Sequence, residues 1–152
     1  MQLDTIDKKL IDLLQKDCKQ TTKQLSVQLY LSVTAVYERI KKLEKEKVIQ
    51  QYVAIINKNK IDKSFLVFCH IKLIQHSKKY LDTFENEIVQ LKEVSECFHV
   101  SGDYDYILKI YVKDMASYRD FMVTKLTTLQ YIGSTHSTFT IGEIKNSTAI
   151  FL

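Results

Sequence analysis

Between residues 21 and 49 the order of side chains suits one kind of chemistry, gripping a polyanion and reading it. At about 100° per residue, Thr34, Glu38, Lys41 and Lys45 fall on one side of a helix, with Tyr37 and Lys42 flanking them. Val36, Ile40 and Leu43 fall in the opposite sector. An outward row of hydroxyl, carboxylate and ammonium groups above three apolar anchors suits a helix lying across something polar and anionic. A lysine-rich face can also be only a solvated face, and the punctuation around it decides. Thr21 can cap a short preceding helix, with Gln24 completing a capping box and Leu25 and Leu29 as the inward face. Ser32 can cap the second helix, and an apolar Val48-Ile49 follows it. This is the pattern of a helix-turn-helix whose second helix enters the DNA major groove. Lys23, Lys41, Lys42 and Lys45 would then neutralise phosphates, while Ser32, Thr34, Tyr37 and Glu38 approach base edges. Arg39 lies between the core and outer faces, where it either reaches a phosphate or pairs with an acid on the first helix.

A second constellation is Gly102-Asp103-Tyr104-Asp105-Tyr106. In an extended segment Asp103 and Asp105 share one side, with Tyr104 and Tyr106 on the other. A free amino acid needs acceptors for its ammonium group and donors for its carboxylate. The two aspartates can meet the first need. Backbone N–H groups beside Gly102 and the hydroxyls of Ser137, Thr138 and Thr140 can meet the second. The plainer alternative is that the aspartates only shape a turn.

These groups need elements to hold them. Asp4 can cap a first helix bearing Ile6, Leu10, Ile11, Leu13 and Leu14, which completes a three-helix core because two short helices alone bury too little. Residues 52–56 are expected as a short strand and Asn57-Lys58-Asn59-Lys60 as a polar turn. Beyond residue 64 the hydrophobic period changes to two. Residues 65–73 form a strand apolar on both faces, 77–91 a helix, 94–100 and 106–112 two strands, and 114–126 a helix capped by Asp114. A fourth strand is expected over 135–141, and a last apolar strand ending at Leu152. The order β-α-β-β-α-β is the split βαβ arrangement of ferredoxin-like domains. The fold class is therefore α+β, with a three-helix, winged-helix-like unit over 1–50, a linker strand over 51–62 and the ferredoxin-like unit over 63–152. Its uncovered sheet face, rich in apolar residues, predicts self-association.

Composition agrees with this and excludes other classes. With 45% hydrophobic and 26% charged residues the chain is globular, and no apolar run approaches a bilayer span. The start, Met1-Gln2-Leu3-Asp4, lacks a basic-then-apolar leader, so a cytoplasmic protein is expected. The net charge is +4; residues 1–50 carry 10 basic against 7 acidic side chains, the remainder 12 against 11. The excess sits on the helical unit, where phosphate binding needs it. Cys18, Cys69 and Cys97 are expected as reduced core thiols. Cys69-His70 and Cys97/His99 invite a zinc site, but their strands are not expected to be neighbours, so no metal is expected. No catalytic triad, phosphate loop or acid–base carboxylate pair stands out, so neither enzyme activity nor a cofactor is expected.

The chain resembles the Lrp/AsnC family of bacterial and archaeal transcriptional regulators along essentially its whole length. The resemblance is carried by Leu3-Asp4-Thr5-Ile6-Asp7, Leu25-Ser26, Leu31-Ser32, Glu38-Arg39-Ile40-Lys41-Lys42-Leu43-Glu44 and Val100 through Tyr106 with Asp114-Met115. It implies sequence-specific binding of double-stranded DNA by a homodimer, which presents two reading helices and assembles further to an octamer. It also implies an amino-acid effector held between subunits, near Gly102, Asp103, Tyr104 and Asp105, the helix start at Met115, and the strand with Thr138, Phe139 and Thr140. An architectural DNA-binding protein without an effector is the alternative. Three positions depart from the family pattern. Tyr30 and Lys47 stand where relatives carry glycine, and Val33 where they carry proline. A side chain in a left-handed turn costs on the order of 1 kcal/mol.

Overall fold

Asp4 accepts from the Asp7 N–H at 2.7 Å, and its own N–H donates to the Asp7 carboxylate. This reciprocal cap starts α1 (Thr5–Lys16). The computed structural model describes residues 2–152. Thr21 and Gln24 form the expected capping box of α2 (Thr22–Leu29), and Ser32 caps α3 (Val33–Lys45) through the Ala35 N–H at 3.1 Å. Leu10, Leu14, Leu25, Leu29, Val36 and Leu43 form the buried core of these three helices.

Two of the three helices stop the same way. Leu31 N–H reaches back to Ser26 O at 3.0 Å, and Val48 N–H to Leu43 O at 3.0 Å. Both are Schellman closures, which require the residue before the returning N–H to be left-handed. Those residues are Tyr30 (φ 55°) and Lys47 (φ 59°), so the glycine substitutions noted in the sequence do fall on strained backbone.

The second unit is built around a four-stranded antiparallel sheet in the order β2-β3-β1-β4. Its elements are β1 (Phe65–Leu73), α4 (Lys78–Ile88), β2 (Val94–His99), β3 (Tyr106–Val112), α5 (Met115–Thr124) and β4 (Ile132–Phe139). Val67, Cys69, Ile71 and Leu73 of β1 pack with Leu108 and Ile110 of β3 beneath Phe84 and Ile88 of α4 and Tyr118 and Phe121 of α5. The opposite face of β1 carries no helix layer among the described residues. There Leu66 is buried, Phe68 and His70 are half-buried, and Lys72 is exposed. One compact unit holds residues 2–55 with Ile144–Leu152, and the other holds Ile56–Glu143.

Four expectations need correction. Residues 52–56 are not a strand: they have no ladder partner among the described residues. The last strand is likewise absent: residues 144–152 have no ladder, and Ile144, Ile150 and Phe151 are exposed. Apolar alternation says that a segment suits a strand, but a strand exists only with a partner, and this chain supplies none. The fourth strand begins earlier, at Ile132, because Leu73 pairs Ile132 across a register shift. Finally, Cys18 is exposed rather than in a core, whereas Cys69 is buried and Cys97 half-buried; all three are free.

Candidate nucleic-acid interface and ligand site

On α3 the expected outward row is in place. Thr34, Tyr37, Glu38, Lys41, Lys42 and Lys45 are all exposed, as are Ser32 at its cap and Lys23 on α2. The row is not uniformly basic. Lys41 Nζ lies 2.9 Å from Glu44 and 5.7 Å from the centre of the Tyr37 ring. The Glu44 hydrogen bond raises the Lys41 pKa, and Lys41 in turn lowers that of Glu44. Glu44 also accepts from the Tyr52 hydroxyl at 3.1 Å. Burial, and then that carboxylate, push the Tyr52 phenol up to about 12. Lys42 and Lys45 form no ion pair among the described residues.

Arg39, placed among the DNA-facing residues, is turned toward α1. Its Nη1 donates to Asp4 at 2.7 Å and to Asp7 at 2.5 Å. Asp7 is 3% exposed, and a carboxylate removed from water needs a counter-charge. Of the two sequence readings, the acid on the first helix is the partner present.

The Gly102 turn behaves differently from the extended strip expected. Gly102 has φ 128°, and the backbone bends again at Asp105. Tyr104 and Tyr106 therefore part company. Tyr104 lies against His70 (5.1 Å between ring centres) and His136 (6.1 Å), on the face away from the helices. Tyr106 is buried among Phe84 and His99 on the helix side, and its hydroxyl donates to Glu85 at 2.8 Å. Nor are the two aspartates equivalent. Asp105 Oδ2 accepts from the Leu73 N–H at 2.7 Å and lies 3.2 Å from His76 Nε2, while the Asp105 N–H donates to Ile71 O at 2.8 Å. Asp105 thus closes the end of β1. Asp103 is exposed and holds no hydrogen bond among the described residues.

The other expected ligand residues split by register. Ile71 pairs Tyr106 at one end of β1, beside the Gly102–Asp105 turn, and Phe65 pairs Val112 at the other end. Met115 follows Val112 closely, and Val67 pairs Phe139, so Met115, Phe139 and Thr140 gather at the far end. Six residues of strand, about 20 Å, separate the turn from the Phe65–Val112 end beside Met115, and four, about 13 Å, from the Val67–Phe139 pair, while Ser137 and Thr138 lie between, opposite Cys69 and Phe68. Faces differ too. Ser137 and Phe139 are turned toward α5, with Ser137 Oγ 2.6 Å from Tyr118 OH and the Phe139 ring edge-on to Tyr118. Thr138, paired with Phe68, points the opposite way. Sequence reading missed Tyr118 as the partner of Ser137; only the strand–helix packing reveals it. β3 separates Cys69-His70 on β1 from Cys97 and His99 on β2, so the strand order keeps those pairs apart.

Comparison with known proteins covers the same ground. Residues 66–150 match the model of the Lrp/AsnC ligand-binding domain, and residues 3–50 that of a winged helix-turn-helix DNA-binding domain. The leucine-responsive regulatory proteins of Klebsiella pneumoniae and Escherichia coli K12 are each 35% identical over 150 residues, 99% of this chain and 92% of theirs. The crystal structure of an AsnC-family transcriptional regulator from Agrobacterium tumefaciens superposes with a TM-score of 0.93 at 31% identity, covering 97% of this chain and 96% of that one. A Neisseria meningitidis transcriptional regulator solved as its L-Met complex reaches 0.93 at 26% identity, covering 98% and 96%.

Proposed function

This chain belongs to the Lrp/AsnC family of transcriptional regulators, in which a DNA-binding helix-turn-helix is joined to a ligand-binding domain, and we propose how its own residues divide that work. The helical unit, residues 1–50, reads double-stranded DNA. Lys23, Lys42 and Lys45 take phosphates, and Lys41 does so once released from Glu44. Ser32, Thr34, Tyr37 and Glu38 meet base edges, and Arg39 serves them by fixing α3 to α1. Residues 63–152 pair copies of the chain and sense an L-amino acid, with 51–62 as the connection. The protein acts in the cytoplasm as a homodimer that associates further to an octamer, and it regulates rather than catalyses.

One observation carries the sensing part. The Gly102–Asp105 turn and Met115 lie at opposite ends of one sheet, about 20 Å apart. A single copy cannot close them on one amino acid, so the site uses the Gly102–Asp105 turn of one copy and the Met115/Phe139/Thr140 end of another. Asp103, exposed and unengaged, takes the ligand's ammonium group. Two segments support association as well: residues 52–56 and 144–152 have no ladder partners and expose Val53, Ile55, Ile144, Ile150 and Phe151, and clustered exposed apolar side chains suit another chain.

The test titrates the protein onto operators selected from random duplexes, with and without each amino acid, while light scattering follows its mass. The proposal expects a preference over random duplex of about a thousandfold, changed by at least one amino acid together with the mass. A preference under about tenfold, indifferent to every amino acid, would instead mark an architectural DNA-binding protein. Lys45→Ala should reduce the slope of log affinity against log salt by about 1.

A further inference from the structure

We propose that Val33 and Tyr37 select thymine at one step of the operator by packing on its C5-methyl group; this rests on α3 being the reading helix. Val33 is the first residue of α3 and is 47% exposed. Tyr37, one turn further along, is 49% exposed. Four residues apart, they stand side by side on one flank of the outward row, and Lys41 continues the stripe against the Tyr37 ring. The fold does not account for Val33. The helix is already capped by Ser32, its core is supplied by Val36 and Leu43, and a β-branched side chain at an exposed helix position has no advantage in propensity. Where the family pattern has proline, this chain carries an isopropyl group that reaches solvent.

What such a group can recognise in the major groove is limited. Base pairs present donors and acceptors there, and the thymine methyl is the one apolar feature. An isopropyl group pressed against any other base edge strips water from polar atoms and returns no hydrogen bond. Against the thymine methyl it buries apolar surface on both sides. Val33 therefore works by exclusion and by attraction at the same step, and the Tyr37 ring closes the side of that contact. Thr34 and Glu38, on the neighbouring sector, remain free for hydrogen bonds to the bases alongside.

Replacing thymine by deoxyuridine tests this directly, because only the methyl group is lost and every hydrogen-bonding edge stays. Each thymine of a selected operator is exchanged in turn and binding is measured by fluorescence anisotropy. At one position in each half-site the wild type should weaken about threefold to tenfold, the worth of one buried methyl or somewhat more. Val33→Ala should bind the thymine and deoxyuridine forms equally well there, with unchanged melting temperature and salt slope. Independently of any variant, 5-methylcytosine at that position should recover part of the affinity lost on replacing thymine with cytosine. Tolerance of every deoxyuridine within about 1.5-fold, well short of the worth of one buried methyl, overturns the proposal and leaves DNA reading by α3 intact, as does an undiminished deoxyuridine penalty in Val33→Ala. A selection that returns no preferred sequence overturns the reading role of α3 itself, and this inference with it.

Discussion

The Arg39 guanidinium on α3 meets the Asp7 carboxylate on α1 at 2.5 Å, with Asp4 at 2.7 Å on the same nitrogen. Helix α3 is thereby tied to the helix behind it through an acid that is almost wholly out of water. Removing the cation strands that acid. Arg39→Ala should lower the stability of the helical unit by about 2–3 kcal/mol, read from urea denaturation. The double variant Asp7→Asn/Arg39→Met should recover most of the loss. If Arg39→Ala reduced the salt slope of DNA binding as much as Lys45→Ala does, Arg39 would be a phosphate contact after all.

Acid should act on the same corner. The Asp7 backbone N–H first, and then Arg39, hold the Asp4 carboxyl below its ordinary value. Asp114, which caps α5, is likewise lowered by the Ser117 N–H and hydroxyl. A carboxylate with a depressed folded pKa lends stability above its unfolded value, near 4, and loses it as pH falls through the folded one. Melting temperature should therefore fall below about pH 4. Asp4→Asn, still able to cap, should flatten that limb for the helical unit, and Asp114→Asn for the sheet unit.

Tyr30 and Lys47 hold left-handed turns that glycine would occupy without strain. Tyr30 is 94% exposed, so little packing is lost with its ring. Tyr30→Gly and Lys47→Gly should each stabilise the helical unit by about 0.5–1 kcal/mol, additively, since they close different helices. Guanidinium denaturation of the two single variants and the double measures this; destabilisation by either would mean that the side chain has a role beyond the turn.

The two aspartates of the Gly102 turn should separate cleanly. Asp105→Ala leaves the Leu73 N–H without its acceptor and should cost about 1–2 kcal/mol, whereas His76→Ala, at an exposed side chain, should change stability little. Asp103→Ala should leave the melt unchanged and abolish the response to the effector. Paired thermal melts and effector titrations of both variants decide it. A stable Asp105→Ala with unaltered folding would refute the structural role.

Much of this molecule could be read from local patterns, because local patterns are where its signals lie. Capping boxes, Schellman ends and the 3.6-residue period of α3 are settled within a few residues of chain, so Thr21, Ser32, Tyr30 and Lys47 sit where the sequence puts them. The period-two segments likewise announced the strands of the sheet. Pairing was not legible. Residues 52–56 and 144–152 have strand-like composition and no strand, because a ladder depends on a partner that no single sequence contains. The fates of Asp103 and Asp105, two residues apart and alike in the sequence, were decided by one long-range bond to Leu73. Register alone put the Gly102 turn and Met115 at opposite ends of β1. The sequence by itself determined which segments become helices and which α3 side chains face outward, since both follow from local periodicity. Tertiary structure decided what Arg39 and Asp105 hold, and that the Gly102 turn and Met115 stand at opposite ends of the sheet, since contacts across 32 residues depend on the whole fold.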